Sequence, residues 1–268
     1  MWEQETIDLF SCRWYSSMIL KNIKIFSQNV HKNNFIINII FETQHVFDII
    51  FILEPSWSFI HSILSLKNKE GEELVEVPNH SNWITFSRNP SQSNNHLRVI
   101  TYINIWLSLL QFSLWKDILN HRDISCVSFF NCGSVYFLIN IYLDSSQMAL
   151  KYLKNTKVNI GNILIMSGDS NIRDNNWDPN FPYYSSHSDA LFEVADSLHL
   201  ELSRPTKQVP TRYLNNYQDS NLVINLMFLR LESLEHDNHT IHPDWRLTLD
   251  HVLLTINISI FKEHIQTR

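Results

Sequence analysis

The residues best suited to chemistry lie in Ser167-Gly168-Asp169-Ser170-Asn171, directly after the apolar run Ile163-Leu164-Ile165-Met166. A carboxylate such as Asp169 can accept a proton from water or hold a hard cation, and a carboxamide such as Asn171 can donate to an anionic oxygen. Together they suit hydrolysis of a phosphate ester. The same letters also make a plain Asx turn after a strand, so the remaining parts must be found elsewhere. Four more polar spots stand at the ends of apolar runs: Asn29, Glu54 in Leu53-Glu54-Pro55, Tyr142 in Asn140-Ile141-Tyr142, and the pair Asp250-His251 directly before one. Phosphodiester hydrolysis needs an activated water, a cation on the phosphoryl oxygens and stabilisation of developing charge. Glu54 is a hard oxygen ligand for Mg²⁺, which is satisfied by one or two carboxylates and keeps its waters. Asp169 would orient or deprotonate the water, and Asn171 and Asn29 would hydrogen-bond the phosphate and position the acids. Tyr142 can donate to a phosphate or leaving oxygen, Asp250 can assist the metal, and a protonated His251 would stabilise developing negative charge. Each residue taken singly has a structural alternative, such as a strand terminus or a satisfied loop histidine. Their joint occurrence at run ends favours a site.

These residues need rigid elements to hold them. Residues 22–30 alternate polar and apolar as a strand does, and residues 46–53 form a second apolar strand. Between them Asn33 or Asn34 starts a helix with Phe35, Ile36, Ile39 and Ile40 as its apolar face. This β-α-β unit places Asn29 and Glu54 at its strand ends. Residues 67–73 read as a charged loop. Residues 83–86 and 99–105 are strands around a polar loop at 88–96. Residues 124–130 and 135–142 form a hairpin. Residues 145–153 are a short helix, and the apolar run before Asp169 is a strand buried on both faces. A helix spans 188–200 with Ser188 as N-cap, and residues 222–229 and 252–261 are strands. Residues 245–250 are an approach loop. Strands dominate, helices are few and no linker divides the chain, which favours an α/β domain of two packed sheets with helices outside.

The chain of 268 residues is 44% hydrophobic and 18% charged, so it can bury a substantial core as one domain. Four glycines serve the whole chain, so many turns must use asparagine. The net charge of −6 argues against tight nucleic-acid binding by whole-chain electrostatics, yet allows a local groove over an acidic, metal-loaded site. Cys12, Cys126 and Cys132 show no paired spacing, which suggests a reducing compartment. Residues 1–17 carry Glu3, Glu5, Asp8 and Arg13 and have no signal-peptide core, and the apolar window 35–53 is broken by Glu42, His45 and Asp48. The expectation is an intracellular protein of nucleus or cytoplasm, not secreted and without a membrane partner. His236, His239 and His242 are spaced by three and read as a solvated loop rather than a zinc site. Trp106 and Trp115 suggest an exposed apolar patch or cryptic core positions.

In order and spacing the five polar spots resemble the endonuclease/exonuclease/phosphatase superfamily. Gln28-Asn29 resembles its first-strand asparagine, and Leu53-Glu54-Pro55 its metal-ligand glutamate with Leu53 in place of Gln. Asn140-Ile141-Tyr142 resembles its tyrosine strand, Gly168-Asp169-Ser170-Asn171 its "GDFN", and Leu249-Asp250-His251 its closing "SDH". Residues 26–30 and 221–229 look most like the apurinic-endonuclease-like domain of fungal LINE-type (non-LTR) retrotransposons. The resemblance spans residues 23–260. It implies a four-layer α/β/β/α sandwich over residues 21–268, with residues 1–20 an extension. It also implies a Mg²⁺-dependent DNA endonuclease, with Mn²⁺ as substitute, whose catalytic residues are Asp169, Asn171, His251, Tyr142 and Asn225 and whose metal residues are Glu54, Asp250 and Asn29. DNA is the implied partner, with a reverse transcriptase in a longer parent polyprotein. Asn225 stands where the family has an aspartate that pairs with the final histidine, and an amide cannot stabilise an imidazolium. With Ser170, Leu222 and Leu249 also departing from the pattern, the alternative is an inactive relic of a mobile element. A phosphoinositide or nucleotide phosphatase is a third reading without specific support.

Overall fold

Apolar side chains on both faces of most strands dictate a layered molecule. In the computed structural model the described residues are 22–43, 46–56, 61–64, 72–75, 77–87, 97–115, 120–131, 133–156, 161–213, 221–231, 234–236, 238–245 and 250–260. The strands run β1 Ile23–Asn29, β2 Ile49–Leu53, β3 His61–Leu64, β4 Glu72–Val75, β5 Trp83–Phe86, β6 Val99–Asn104, β7 Ser113–Leu114 and β8 Ile124–Asn131. They continue as β9 Ser134–Tyr142, β10 Ile163–Asp169, β11 Glu201–Leu202, β12 Asn225–Leu229, β13 Leu234–His236, β14 Thr240–His242 and β15 Leu253–Ile260. The helices are α1 Asn34–Thr43, α2 Met148–Thr156 and α3 Ser186–Ser197.

One sheet is ordered β13-β15-β1-β2-β6-β5, with β14 also on β15, and the other is ordered β11-β12-β10-β9-β8-β7. Both are mixed, because β1–β2 and β9–β10 are parallel and their other pairs antiparallel. Between the sheets Ile25, Phe51 and Ile103 pack against Leu138, Leu164 and Met227. On the outer face of the first sheet Ile36, Ile37, Ile40 and Phe41 of α1 cover Phe26, Ile50 and Tyr102. On the outer face of the second, Leu150 and Leu153 of α2 and Leu191 and Val194 of α3 cover Ile139 and Met166. The result is a four-layer α/β/β/α sandwich. Asn140 stitches its middle layers, donating from Nδ2 to the carbonyls of Ile52 and Ile100 across the interface.

Some local expectations differ from the structure. Phe35 is 70% exposed, and the buried face of α1 runs instead through Ile36, Ile37, Ile40 and Phe41. Helix α2 begins later than expected, because the Asp144 carboxylate accepts from Ser146 N and closes a turn first. Ser185 rather than Ser188 caps α3, accepting from His187 N, while Ser188 is buried and donates to Asp174. Residues 72–73 are strand, paired with β3, where a loop was expected. His236 and His242 lie on strands, and His239 is buried against Ser203 Oγ, so this is no solvated loop. Trp106 is 53% exposed, whereas Trp115 stacks on Phe137. Cys126 is a buried free thiol, pushed by burial up to about 12. The extension at 1–20, the loop at 88–96, Cys12, Cys132 and Leu249 lie outside the described residues. No helix among the described residues is long and apolar enough to cross a membrane.

Candidate active site

The inter-sheet layer ends in polar residues. Asn29 closes β1 on the same face as Ile23 and Ile25, Tyr142 closes β9 on the face of Leu138 and Asn140, and Asn225 opens β12 on the face of Met227. Asp169 reaches this layer because of an irregularity in β10. Its register against β9 shifts between Ile163 and Ile165, so Leu164 and Ile165 both face inward. Beyond the shift Met166 faces α2 and α3, and Asp169 falls on the inner face. Gly168 makes this approach feasible: a Cβ there would lie 1.7 Å from the Ile141 carbonyl oxygen.

Asn29 is the joint between the sheets. Its Nδ2 donates to Glu54 Oε2 and to Asp169 Oδ2, both at 2.9 Å, and its Oδ1 accepts from His31 N at 2.9 Å. Tyr142 donates its hydroxyl proton to Glu54 Oε1 at 3.0 Å. Burial, then the Glu54 and Asp169 charges, raise the Tyr142 hydroxyl above its ordinary range, so it remains a donor. Glu54 sits at φ +47, a left-handed conformation costing roughly 1–2 kcal/mol for a residue with a Cβ. Asn171, at φ +48, donates its N–H to Asp169 Oδ1 at 3.0 Å, so the Asx turn is present and forms part of the site. Its Nδ2 donates to the Leu143 carbonyl at 2.9 Å, leaving its second N–H for another acceptor.

Asp169 and His251 are both almost fully buried. Burial raises the Asp169 carboxyl, opposed by the His251 ring and by the donors Asn29 and Asn171. His251 Nδ1 lies 3.3 Å from Asn225 Oδ1 and 3.6 Å from Asp169 Oδ2, and its Nε2 lies 3.9 Å from Asp250 Oδ2. Asn225 thus holds the ring as an acceptor, while its own Nδ2 is buried without a partner among the described residues. Burial tends to raise the Asp250 carboxyl, but His251 and Arg212 outweigh it and hold the group below its ordinary value. The Arg212 Nε donates to Asp250 Oδ2 at 2.9 Å. All eight residues expected at the site therefore belong to one connected cluster. Among the described residues no group of three or more His, Cys, Asp or Glu assembles as a metal cluster.

No family model and no curated protein matches the sequence. Solved structures do. The endonuclease domain of TRAS1, a telomere-specific non-LTR retrotransposon, is similar with a TM-score of 0.66 at 15% identity, covering 90% of this chain and 100% of that one. The AP endonuclease LMAP from Leishmania major has a TM-score of 0.61 at 10% identity, covering 89% of this chain and 88% of that one. An endonuclease/exonuclease/phosphatase family protein from Leptotrichia buccalis has a TM-score of 0.52 at 12% identity, covering 88% and 99%. The chain shares the fold of these solved structures. Around the cluster, several supporting residues carry no signal in the sequence. Arg98 lies over the Tyr142 ring at 5.2 Å, pairs with Asp123 and Asp144, and accepts from Glu54 N through its carbonyl. Thr211 Oγ1 accepts from both Ile224 N and Asn225 N, fixing the start of β12. Ser170 is buried and donates to the Ile224 carbonyl at 2.7 Å, tying β10 to the same segment. Arg98 and Thr211 are distant in sequence from what they hold, so spacing alone cannot reveal them.

Proposed function

We propose that the chain is a Mg²⁺-dependent DNA endonuclease of retrotransposon type. The observation that carries this reading is the Asn29 carboxamide, which draws Glu54 and Asp169 together from the two sheets. In this reading Asp169 orients the attacking water and takes its proton, as its raised basicity favours. Asn171 offers its free N–H to a non-bridging phosphate oxygen. Tyr142 fixes Glu54, since its single proton is spent there. His251, with its Nδ1 proton toward Asn225 and Asp169, presents its Nε2 side to the negative charge that develops on the phosphoryl oxygens.

The donor set fits Mg²⁺. Glu54 has one donor on each oxygen and no cationic partner among the described residues, so each oxygen keeps a lone pair for a hydrated ion. Asp250 is already shared with Arg212, and Asn29 Oδ1 with His31 N, so they would act on the ion through water. Bound Mg²⁺ supplies positive charge to the phosphoryl and leaving oxygens, and Mn²⁺ suits the same oxygens. The likeness to a retrotransposon endonuclease domain supports DNA as the substrate, and a reverse transcriptase in a longer parent polyprotein is part of the same proposal.

The unpartnered Asn225 Nδ2 favours a second reading, a relic whose histidine is poorly supported. Plasmid nicking separates the two. The first predicts nicking that needs Mg²⁺ and is abolished in Glu54→Gln. The second predicts no Mg²⁺-stimulated nicking by the wild type. Turnover of small phosphomonoesters without nicking would instead indicate a phosphatase.

A further inference from the structure

The loop that follows Asn171 has features that the catalytic reading leaves unused. Burial alternates along it: Ile172 and Asp174 are buried, whereas Asn171, Arg173 and Asn175 are half-exposed. Arg173 therefore emerges on the same side as Asn171, four residues after Asp169. Its Nε is buried without a hydrogen-bond partner among the described residues, and its guanidinium lies 4.4 Å from the centroid of Phe181. The carboxylates of this loop do not neutralise it. Asp174 accepts from Asn176 N, Ser185 N and Ser188 Oγ, and Asp178 accepts from Asn180 N and Val223 N. A partly buried cation with an unsatisfied donor is an unfavourable arrangement until an anion meets it.

Aromatic surface adjoins this cation. The Phe181 ring meets Tyr183 edge-on at 5.6 Å, and Tyr183 and Tyr184 are 69% and 71% exposed. Both are held in place, because Asn175 N donates to the Tyr183 carbonyl and Asn175 Nδ2 to the Tyr184 hydroxyl. Asp174 fastens the loop to the start of α3. A guanidinium with no carboxylate partner among the described residues can take phosphate oxygens through its N–H groups, and fixed, exposed rings offer stacking faces to unpaired bases. For a chain of net charge −6, nucleic-acid affinity must come from local groups of this kind.

We propose that residues 171–185 form a DNA-binding lip, in which Arg173 takes a backbone phosphate flanking the cleaved one and Tyr183 and Tyr184 stack on unpaired bases. The inference rests on the endonuclease reading for its choice of DNA. The test is fluorescence anisotropy with the full chain in EDTA, so that binding is read without cleavage. The probes are a labelled duplex bearing an unpaired loop and a fully paired duplex. Arg173→Met should reduce the slope of log affinity against log salt by about one, and Arg173→Lys should retain it. Tyr183→Ser/Tyr184→Ser should weaken binding of the looped probe about tenfold while sparing the paired one. These tyrosines are exposed, so the double variant carries the test even if Arg173→Met misfolds. An unchanged slope in folded Arg173→Met, or an unchanged preference for the looped probe in the tyrosine variant, overturns the lip. Both effects without any nicking by the wild type would uphold the lip and refute the endonuclease reading. Nicking without either effect refutes the lip alone.

Discussion

His251 is held by an amide where a carboxylate would balance its charge. Asn225 Oδ1 accepts at 3.3 Å, but the nearest negative charge on Nδ1 is Asp169 Oδ2 at 3.6 Å. Asp169 then serves two masters, since balancing the imidazolium lowers its own readiness to take a proton from water. Replacing Asn225 by Asp should relieve it. We expect Asn225→Asp to raise single-turnover nicking by at least about tenfold, since the reverse change in a comparable protease dyad lowers kcat by about 10⁴. Asp169→Asn should lower nicking by roughly 10²–10⁴-fold. The same change should stabilise the fold at neutral pH. Burial raises the folded-state carboxyl above its unfolded value, so the ionised group detracts from stability increasingly as pH rises from 3.8. Denaturant titration should show the Asn variant more stable at pH 7 and equal to the wild type below pH 3.8. At this scale the sequence was informative. Asn29, Glu54, Tyr142 and Asp169 are recognisable because each ends an apolar run, and His251 because it directly precedes one. Arg98, Asp123 and Asp144 were not, because their pairing depends on how distant segments pack.

The elements are legible where burial has a simple period and obscure where a side chain interrupts it. Strands β1, β2, β6, β8 and β9 follow from their apolar runs. The N-cap of α3 does not, because Ser185, Ser186 and Ser188 are equally good letters. Only the pull of Asp174 on Ser188 leaves the cap to Ser185. Ser185→Ala should cost about 1 kcal/mol in unfolding free energy. At Gly168 the missing Cβ admits the Ile141 carbonyl, which would lie 1.7 Å from a Cβ built there. Gly168→Ala should destabilise by about 3 kcal/mol or prevent folding, because backbone rather than a movable side chain must yield. Gly161→Ala is the control, since no atom of the described residues lies within 4 Å of a Cβ there, and its urea midpoint should stay near the wild-type value.

At the scale of the molecule, the edges of the two sheets are joined where Thr206 N donates to the His239 carbonyl and Pro205 bridges to His239. The His239 ring is buried there, and burial lowers it from 6.5 to about 4. A histidine depressed in the folded state contributes stability that is present above its unfolded value and lost as pH falls toward the folded one. Between pH 6.5 and about 4 the wild type should therefore lose on the order of 3 kcal/mol that His239→Gln does not, measured by denaturant unfolding across that range. The sandwich itself was legible as two sheets with outer helices. The offset in β10 was not, because nothing in Ile163-Leu164-Ile165-Met166 distinguishes a strand that changes face from one that does not. That offset makes the site a matter of parity. With one residue fewer or more between Ile165 and Asp169, the letters Gly-Asp-Ser-Asn would survive intact while the carboxylate turned outward toward the helices. A motif search would score such a chain as equal to this one. Conversely, chains that agree at only 15% of positions can keep one architecture when they count alike. What this strand must inherit faithfully is an odd or even number.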